Sequence, residues 1–450
     1  MWMMRSWIEP VVAGAQIASS FYDTGLLFVV KNRYNNTNQS SNSSSDALQR
    51  AISNFYIYYN LILGLTPLLS AYILAKIGDK YNRKVTICVP LAGYLLSRLL
   101  LLFVILLDWP IEVMYGSAAL NGITGWFTAY WAGIMALASL GSSEYKRSLR
   151  LVIIEMVYGL AGFVGSLASG HIFIRFNVTN HEGTVLVSCS IALYAICLFY
   201  SVFVLQIPHA AVADQDTTAS VRQEGTSSTG PTERSRLLGN VSDERLTTDS
   251  SIITQLPSKV IIALLFTSAI LYNVAIDGSV DVLNLFLLRE PLSWGPVEIG
   301  YGSAAGYLIF LTSFLGVYFF SKCLPDLVMI IIGIVSFCVG IFTMAFVRWT
   351  FMFYIARALM MFALIPLPTI RSLLSKHVQG SSYGKIFVIL QLCLAVSAVI
   401  TSIAFNKIYQ ATLDMFSGFC FILSGIITIL SLVPVSILTY LHLSRRQRTI

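Results

Sequence analysis

The chain has 450 residues, 56% of them apolar and only 11% charged, with a formal net charge of +7. A soluble domain carries about 25% charged residues, so too few charges remain here to keep the apolar surface dispersed in water. The composition excludes a soluble enzyme, a disordered scaffold and a secreted disulfide framework, and it points to a polytopic membrane protein.

A helical span needs about 20 apolar residues. With two polar stretches set aside, 31–52 and 207–258, the remaining chain supplies roughly twelve spans. Apolar stretches begin near residues 8, 54, 85, 112, 151 and 184, and again near 259, 298, 327, 351, 384 and 414. Backbone groups in lipid must be paired internally, and no alternating barrel pattern is visible, so each span is expected to be a helix. The expected fold class is an all-α polytopic membrane protein with twelve transmembrane helices in two six-helix bundles, 1–206 and 259–443. Between them, 207–258 is rich in Ser, Thr, Gln, Glu and Arg with almost no aromatics, and is expected as a disordered cytosolic linker. Residues 444–450 form a basic tail. Six spans, linker, six spans is the layout of a secondary transporter with two pseudo-symmetric halves.

Lys and Arg set the orientation. With the N-terminus inside, the short inner loops hold fifteen and the outer ones seven, which places both termini in the cytosol. Sequons at Asn35, Asn38, Asn42 and Asn177 all fall in loops this topology puts outside, so 31–52 is expected as a glycosylated outer loop. The first apolar stretch is too long for a signal peptide and carries Glu9, Gln16 and Asp23. The seven cysteines lie in spans or on the inner side, so no structural disulfide is expected. The inner positive charge reports topology and attraction to lipid, not binding of a nucleic acid polymer.

In chain order, the first span carries a polar face of Gln16, Ser20 and Asp23. An ionisable group within lipid costs several kcal/mol and usually faces a cavity or a partner. The loop after the second span reads Ala75-Lys-Ile-Gly-Asp-Lys-Tyr-Asn-Arg-Lys84. Asp79 with Arg83 and Lys84 offers charge pairs for an inner gate; a basic loop that merely sets topology fits as well. Arg98 lies in the third span. Asn121 belongs to the polar face of the fourth, and Trp126 and Trp131 suit either stacking on a planar cargo or packing. Glu155 sits one turn inside the fifth span, within reach of Arg147 or Arg150 for an interfacial ion pair. Gly162, Ser166 and Gly170 there, and Gly302 and Gly306 in the eighth span, are expected to let helices approach closely.

Asn273, Asp277, Asp281 and Asn284 follow i, i+4, i+8, i+11 spacing, one face of the seventh span. That stripe fits a cavity wall, and interhelical hydrogen bonding is the alternative. Arg357 is deep enough in the tenth span to pair with an Asp of the seventh, and Arg371 lies at its inner end. An arginine fork suits a carboxylate, while an inside-positive anchor explains Arg371 equally. Pro366 and Pro368 are expected to kink this span and free carbonyls into the cavity. Glu233, Leu237 and Leu238 fit an acidic dileucine sorting signal on the linker, which makes an endosomal or lysosomal residence an alternative to the plasma membrane. The run at 380–386 is one residue short of a nucleotide loop and lacks its Ser/Thr, and no zinc or triad motif occurs, so no enzyme activity and no cofactor beyond the proton is expected.

The loop around Asp79 resembles the signature loop of the major facilitator superfamily, G-x-x-x-D-R-x-G-R-R/K, with Ala75, Lys80 and Asn82 as departures. The runs Trp7-Ile-Glu-Pro-Val-Val, Leu106-Leu-Asp-Trp-Pro-Ile-Glu-Val, Glu298-Ile-Gly-Tyr-Gly-Ser-Ala-Ala-Gly and Ile370-Arg-Ser-Leu-Leu-Ser-Lys resemble the proton-coupled folate transporter family, solute carrier family 46. That resemblance implies a proton-driven importer of organic anions, whose members take folates, antifolates, muropeptides and cyclic dinucleotides. It implies proton coupling at Glu155 and a substrate- and proton-linked arginine at Arg371. The family's functional histidine near the seventh span has no counterpart here, which puts a proton path through that helix in doubt. The expected partners are a small organic anion, protons and the lipid bilayer, the expected state is a monomer, and a non-transporting receptor or chaperone on the same scaffold is the alternative reading.

Overall fold

The computed structural model describes residues 7–39, 45–80, 82, 84–139, 144–176, 181–205, 258–377 and 383–446. Its helices are α1 (Glu9–Gln39), α2 (Ser45–Lys80), α3 (Val85–Leu106), α4 (Val113–Ile123), α5 (Trp126–Ser139), α6 (Glu144–Arg175), α7 (Thr184–Phe199), α8 (Ser258–Leu288), α9 (Pro296–Phe320), α10 (Asp326–Ala345), α11 (Thr350–Leu359), α12 (Pro366–His377), α13 (Tyr383–Thr412) and α14 (Phe419–Arg446). Nine of these are long and apolar enough to cross a bilayer. Polar α1 and two broken spans, α4 with α5 and α11 with α12, complete twelve crossings. Side chains such as Leu69 and Phe203, each 69% exposed, project outward, as a lipid-facing surface requires.

The two broken spans occupy the same position, fourth, in each half. In α4–α5 the break falls at Gly125, with φ +92°, and Trp126, with φ +44°. Glycine meets that backbone at no steric cost. The Ser70 hydroxyl of α2 donates to the Gly122 carbonyl at 2.5 Å. In the tenth span the helix stops at Leu359, and Pro366 opens α12 as its first residue, where its missing N–H costs nothing. The sequence suggested carbonyls freed into the cavity; neighbouring hydroxyls take them instead. Ser336 donates to the Leu359 carbonyl at 2.6 Å, Thr312 and Ser313 to that of Met361 at 2.8 and 3.0 Å, and Tyr272 to that of Ala363 at 2.5 Å. Ser313 also accepts the Leu364 N–H at 3.1 Å. An irregular segment survives at membrane depth only with such partners.

The halves repeat one packing pattern. In the first, α1 packs on α6 and α7, and α3 on α7; in the second, α8 packs on α13 and α14, and α10 on α14. The seams between halves are α6 on α9 and α2 on α13, spans five–eight and two–eleven, which a pseudo-twofold would exchange. No strong internal repeat is visible in sequence, so this symmetry lives in packing. Gly162, Ser166 and Gly170 of α6 do face α9: a Cβ on Gly170 would meet the backbone of Pro296 and Val297. On α9 the close approach belongs to Gly300, whose Cβ would lie 2.6 Å from the Ser166 carbonyl. Gly302 packs on Trp294 within its own half and Gly306 faces open space, so neither builds the seam.

The polar stretch 31–52, expected as a loop, is mostly helix: α1 continues to Gln39 and α2 starts at Ser45. Asn35 and Asn38 therefore lie on the last turns of α1. Asn42, Asn177, the linker with Glu233, Leu237 and Leu238, and the last four tail residues fall outside the described residues.

Gly170→Val is expected to force the α6–α9 seam apart and to destabilise the protein by about 1–3 kcal/mol. Gly306→Ala, in open space, is expected to leave stability unchanged. Thermal melting of the purified variants checks both, and equal melting temperatures for the two would refute the seam assignment.

Candidate functional site

The seams enclose a set of polar residues on α1, α6, α8, α9 and α12. On α1, Gln16 is 6% exposed and its amide donates to the Tyr307 hydroxyl of α9 at 2.5 Å, joining the halves. Two turns further along, Asp23 is exposed although its neighbours Tyr22 and Thr24 are buried. Exposure in mid-helix, among helices packed on α1, means that Asp23 faces an internal cavity. Ser19 hydrogen-bonds its carboxylate, and Arg98 of α3 lies within electrostatic range.

An aromatic wall adjoins Gln16. Trp131 meets Tyr158 edge-on with ring centres 5.0 Å apart, and Tyr158 lies 6.2 Å from Tyr307 and 5.7 Å from Phe310. Phe127 stacks on Trp131 at 5.5 Å. Trp131 is thus part of a ring cluster spanning the two halves rather than a lipid-facing residue. Tyr158 was not singled out from the sequence, yet it stands three residues after Glu155 and so on the same helix face. That spacing was the available signal.

Glu155 of α6 and Arg371 of α12, in opposite halves and each half-buried, lie within electrostatic range of one another without a direct ion pair. Arg371 also donates to the Gln391 amide oxygen of α13 at 3.2 Å, and its Nε has no partner. Of the two interfacial partners the sequence left open for Glu155, Arg150 lies 4.0 Å from Glu9, and the Arg147 side chain lies outside the described residues.

On α8 the stripe makes hydrogen bonds within its own helix and to α13. Asn273 donates to Asp277 at 2.6 Å, Asp281 is hydrogen-bonded with Ser402 of α13, and the two aspartates act on each other. Arg357 does not pair with either. It stacks over Phe353, 5.1 Å from the ring centre, with its Nε unpartnered. Asn121 departs further from expectation. It is 1% exposed and donates to Ser97 of α3 at 3.0 Å, beside a Ser97–Ser117 bond of 2.5 Å. It glues α3 to α4 and does not line the cavity, because a polar residue in a span serves packing as readily as cargo. Of the loop after α2, Lys84 reaches the Val202 carbonyl at 3.5 Å and Asn82 accepts the Lys84 N–H at 2.9 Å. The Asp79 side chain and Arg83 lie outside the described residues, so the gate assignment rests on the sequence alone. No group of three or more His, Cys, Asp or Glu converges as a metal site among the described residues.

The end of the bundle opposite the termini, here the distal end, is tied shut. Arg289 at the end of α8 pairs with Asp46 of α2 at 2.8 Å and donates to the Leu413 carbonyl at 2.7 Å. Arg50 of α2 pairs with Asp414 at 2.9 Å. Below them Ser53 donates to Asn406 at 3.0 Å, both fully buried, Gln410 to Asn54 at 2.9 Å and Asn60 to Ser402 at 3.3 Å. All of these links except the Arg289–Leu413 bond cross between the halves.

This fold of two packed bundles has known counterparts. Residues 58–323 match the model of the Major Facilitator Superfamily. The chain is 51% identical to solute carrier family 46 member 2 of Mus musculus, over 99% of this chain and 95% of that protein. It belongs to solute carrier family 46, within the major facilitator superfamily. A more distant relative is the lysosomal proton-coupled steroid conjugate and bile acid symporter of Homo sapiens, 30% identical over 84% of this chain and 78% of that protein. The crystal structure of the D-xylose–proton symporter superposes with a TM-score of 0.63 at 13% identity, covering 94% of this chain and 96% of that one, a likeness of fold. A solute carrier family 46 member of this fold is a multi-pass membrane transporter, not an enzyme.

The distal latch yields a direct test. A double-mutant cycle with Arg289→Met and Asp46→Asn is expected to show a coupling of about 0.5–1 kcal/mol, since both side chains are partly exposed. Thermal or denaturant melts of the four proteins measure it, and strictly additive losses would remove the pair from the latch.

Proposed function

We propose that this solute carrier is a proton-coupled symporter that imports an organic anion by alternating access. The observation that carries this reading is Glu155 within electrostatic range of Arg371 in the opposite half. A carboxylate and a guanidinium on opposite halves attract, and protonating the carboxylate removes the attraction. Proton binding at Glu155 then frees Arg371 for an anionic group of the cargo, whose two oxygens match the arginine fork. Release of the proton on the other side restores the pair. The closed distal latch supports reading this state as the one that opens toward the termini. The Tyr158–Trp131–Tyr307 wall suits a cargo with a flat or ring-bearing body.

Asp23, Gln16, Asn273, Asp277, Asp281 and Arg357 complete the proposed binding region, while Asp79, Arg83 and Lys84 form the proposed inner gate. Candidate cargoes are folate-like molecules, muropeptides, cyclic dinucleotides and anionic amphipaths such as the steroid conjugates of the human relative's name. The proposed setting is the plasma membrane with both termini and the linker in the cytosol, glycosylation on the outer side, and a monomeric protein. The dileucine signal makes passage to endosomes or lysosomes part of the proposal.

Uptake of a labelled folate or steroid sulfate into cells expressing the chain is expected to rise as the outside becomes mildly acidic. Glu155→Gln is expected to flatten that dependence and lower acidic uptake by roughly tenfold or more, the factor for about 1.4 kcal/mol of coupling. Arg371→Ala is expected to weaken cargo affinity at every pH. Full pH dependence in Glu155→Gln would sink the coupling assignment. Binding without accumulation against a gradient in proteoliposomes would favour a receptor instead.

A further inference from the structure

The N-terminal half contains a second acid–arginine pair that the Glu155–Arg371 mechanism leaves unused. Arg98 of α3 is 4% exposed, and its guanidinium lies 4.0 Å from the centre of the Tyr22 ring and 4.8 Å from those of Tyr94 and Tyr194. Its Nε and Nη1 have no hydrogen-bond partner. A cation so enclosed needs an anion close by. Asp23 supplies it, from a position open to the cavity rather than from within the packing.

The surroundings of Asp23 set a single full charge, that of Arg98, against it. On its own helix stand Tyr22 and Ser19. Tyr56 and Tyr59 face it from α2, Tyr94 and Arg98 from α3, Tyr158 from α6, Tyr194 from α7 and Tyr307 from α9. Tyrosine hydroxyls are neutral across the physiological range. Among the described residues Arg98 is thus the one full charge set against this carboxylate, and no ion pair joins the two directly. The site combines water access for a proton, a fixed counter-charge, and walls that hydrogen-bond but do not titrate.

We propose that Asp23 is a second proton-binding site, poised by Arg98 within the tyrosine chamber and loaded from the cavity independently of Glu155. Its use in a transport cycle rests on the symport reading; proton binding itself does not. When Asp23 takes up a proton, the Arg98 charge loses its counter-ion, and the N-terminal half becomes more receptive to an anion. The pair mirrors Glu155 and Arg371: in both, a cavity-side carboxyl faces a guanidinium with an unpartnered Nε.

The test is difference infrared spectroscopy of the full chain in lipid nanodiscs, titrated from neutral to acidic pH and read at the carboxyl C=O band. One titrating band is expected to vanish in Asp23→Asn and to persist in Glu155→Gln. Arg98→Leu is expected to move its midpoint toward neutral pH by about one unit, through loss of the neighbouring cation. Where Arg98→Leu does not fold, Arg98→Gln, which keeps a polar side chain but not the charge, is expected to move the midpoint in the same direction. An unchanged band pattern in Asp23→Asn, or an unchanged midpoint in the folded Arg98 variant, would overturn the proposal. No cargo enters the measurement, so absent proton-driven uptake would overturn the symport reading alone.

Discussion

Inside a bilayer a backbone group that leaves its helix must be met by another polar group, and the architecture depends on how that demand is satisfied at two places. The fourth span of each half is broken, and each break is patched by hydroxyls from neighbouring helices: Ser70 at one, and Tyr272, Thr312, Ser313 and Ser336 at the other. Each such bond is worth only about 1 kcal/mol net, but leaving the carbonyl bare would cost more. The patched breaks set α12 at its own angle, and α12 carries Arg371 into electrostatic range of Glu155.

The two seams divide the labour differently. Spans five and eight meet through glycine, serine and backbone at one end and through the rings of Tyr158, Tyr307 and Phe310 at the other, a surface with few directional bonds. Spans two and eleven meet through a ladder of amides, hydroxyls and ion pairs concentrated at the distal end. A smooth contact tolerates rocking, whereas a ladder of directional bonds is either made or broken. Glu155 and Arg371 belong to neither of these two contact surfaces.

Hydropathy made the fold legible, because twelve apolar stretches admit no other structure in lipid. The breaks were half legible: Pro366 and Pro368 marked the tenth span, whereas nothing in the Gly125–Trp126 pair forces a left-handed turn until α3 and α4 pack. Glu155 and Arg371 were legible as charges where charge is costly, and their partnership was not, since it joins elements more than 200 positions apart. Asn121 misled because a buried amide looks the same whether it faces cargo or a neighbouring serine. The tyrosines around Arg98 carried no signal at all, tyrosine being unremarkable in an apolar span until its ring is placed against a cation. Arg98 itself was visible as an intramembrane charge, but its cage was not.

The distal latch is built of ions at a water-facing end, unlike the buried hydroxyl bonds that hold the broken spans. Arg50 and Asp414 are 49% and 61% exposed, while Arg289 and Asp46 are 17% and 33% exposed. At physiological ionic strength charges are screened over about 8 Å, and more strongly as salt rises. The latch therefore couples the closed state to the electrolyte bathing that end. Dilute medium holds the entrance shut more firmly and concentrated salt loosens it, so the transporter's resting posture is in part a property of the solution around it.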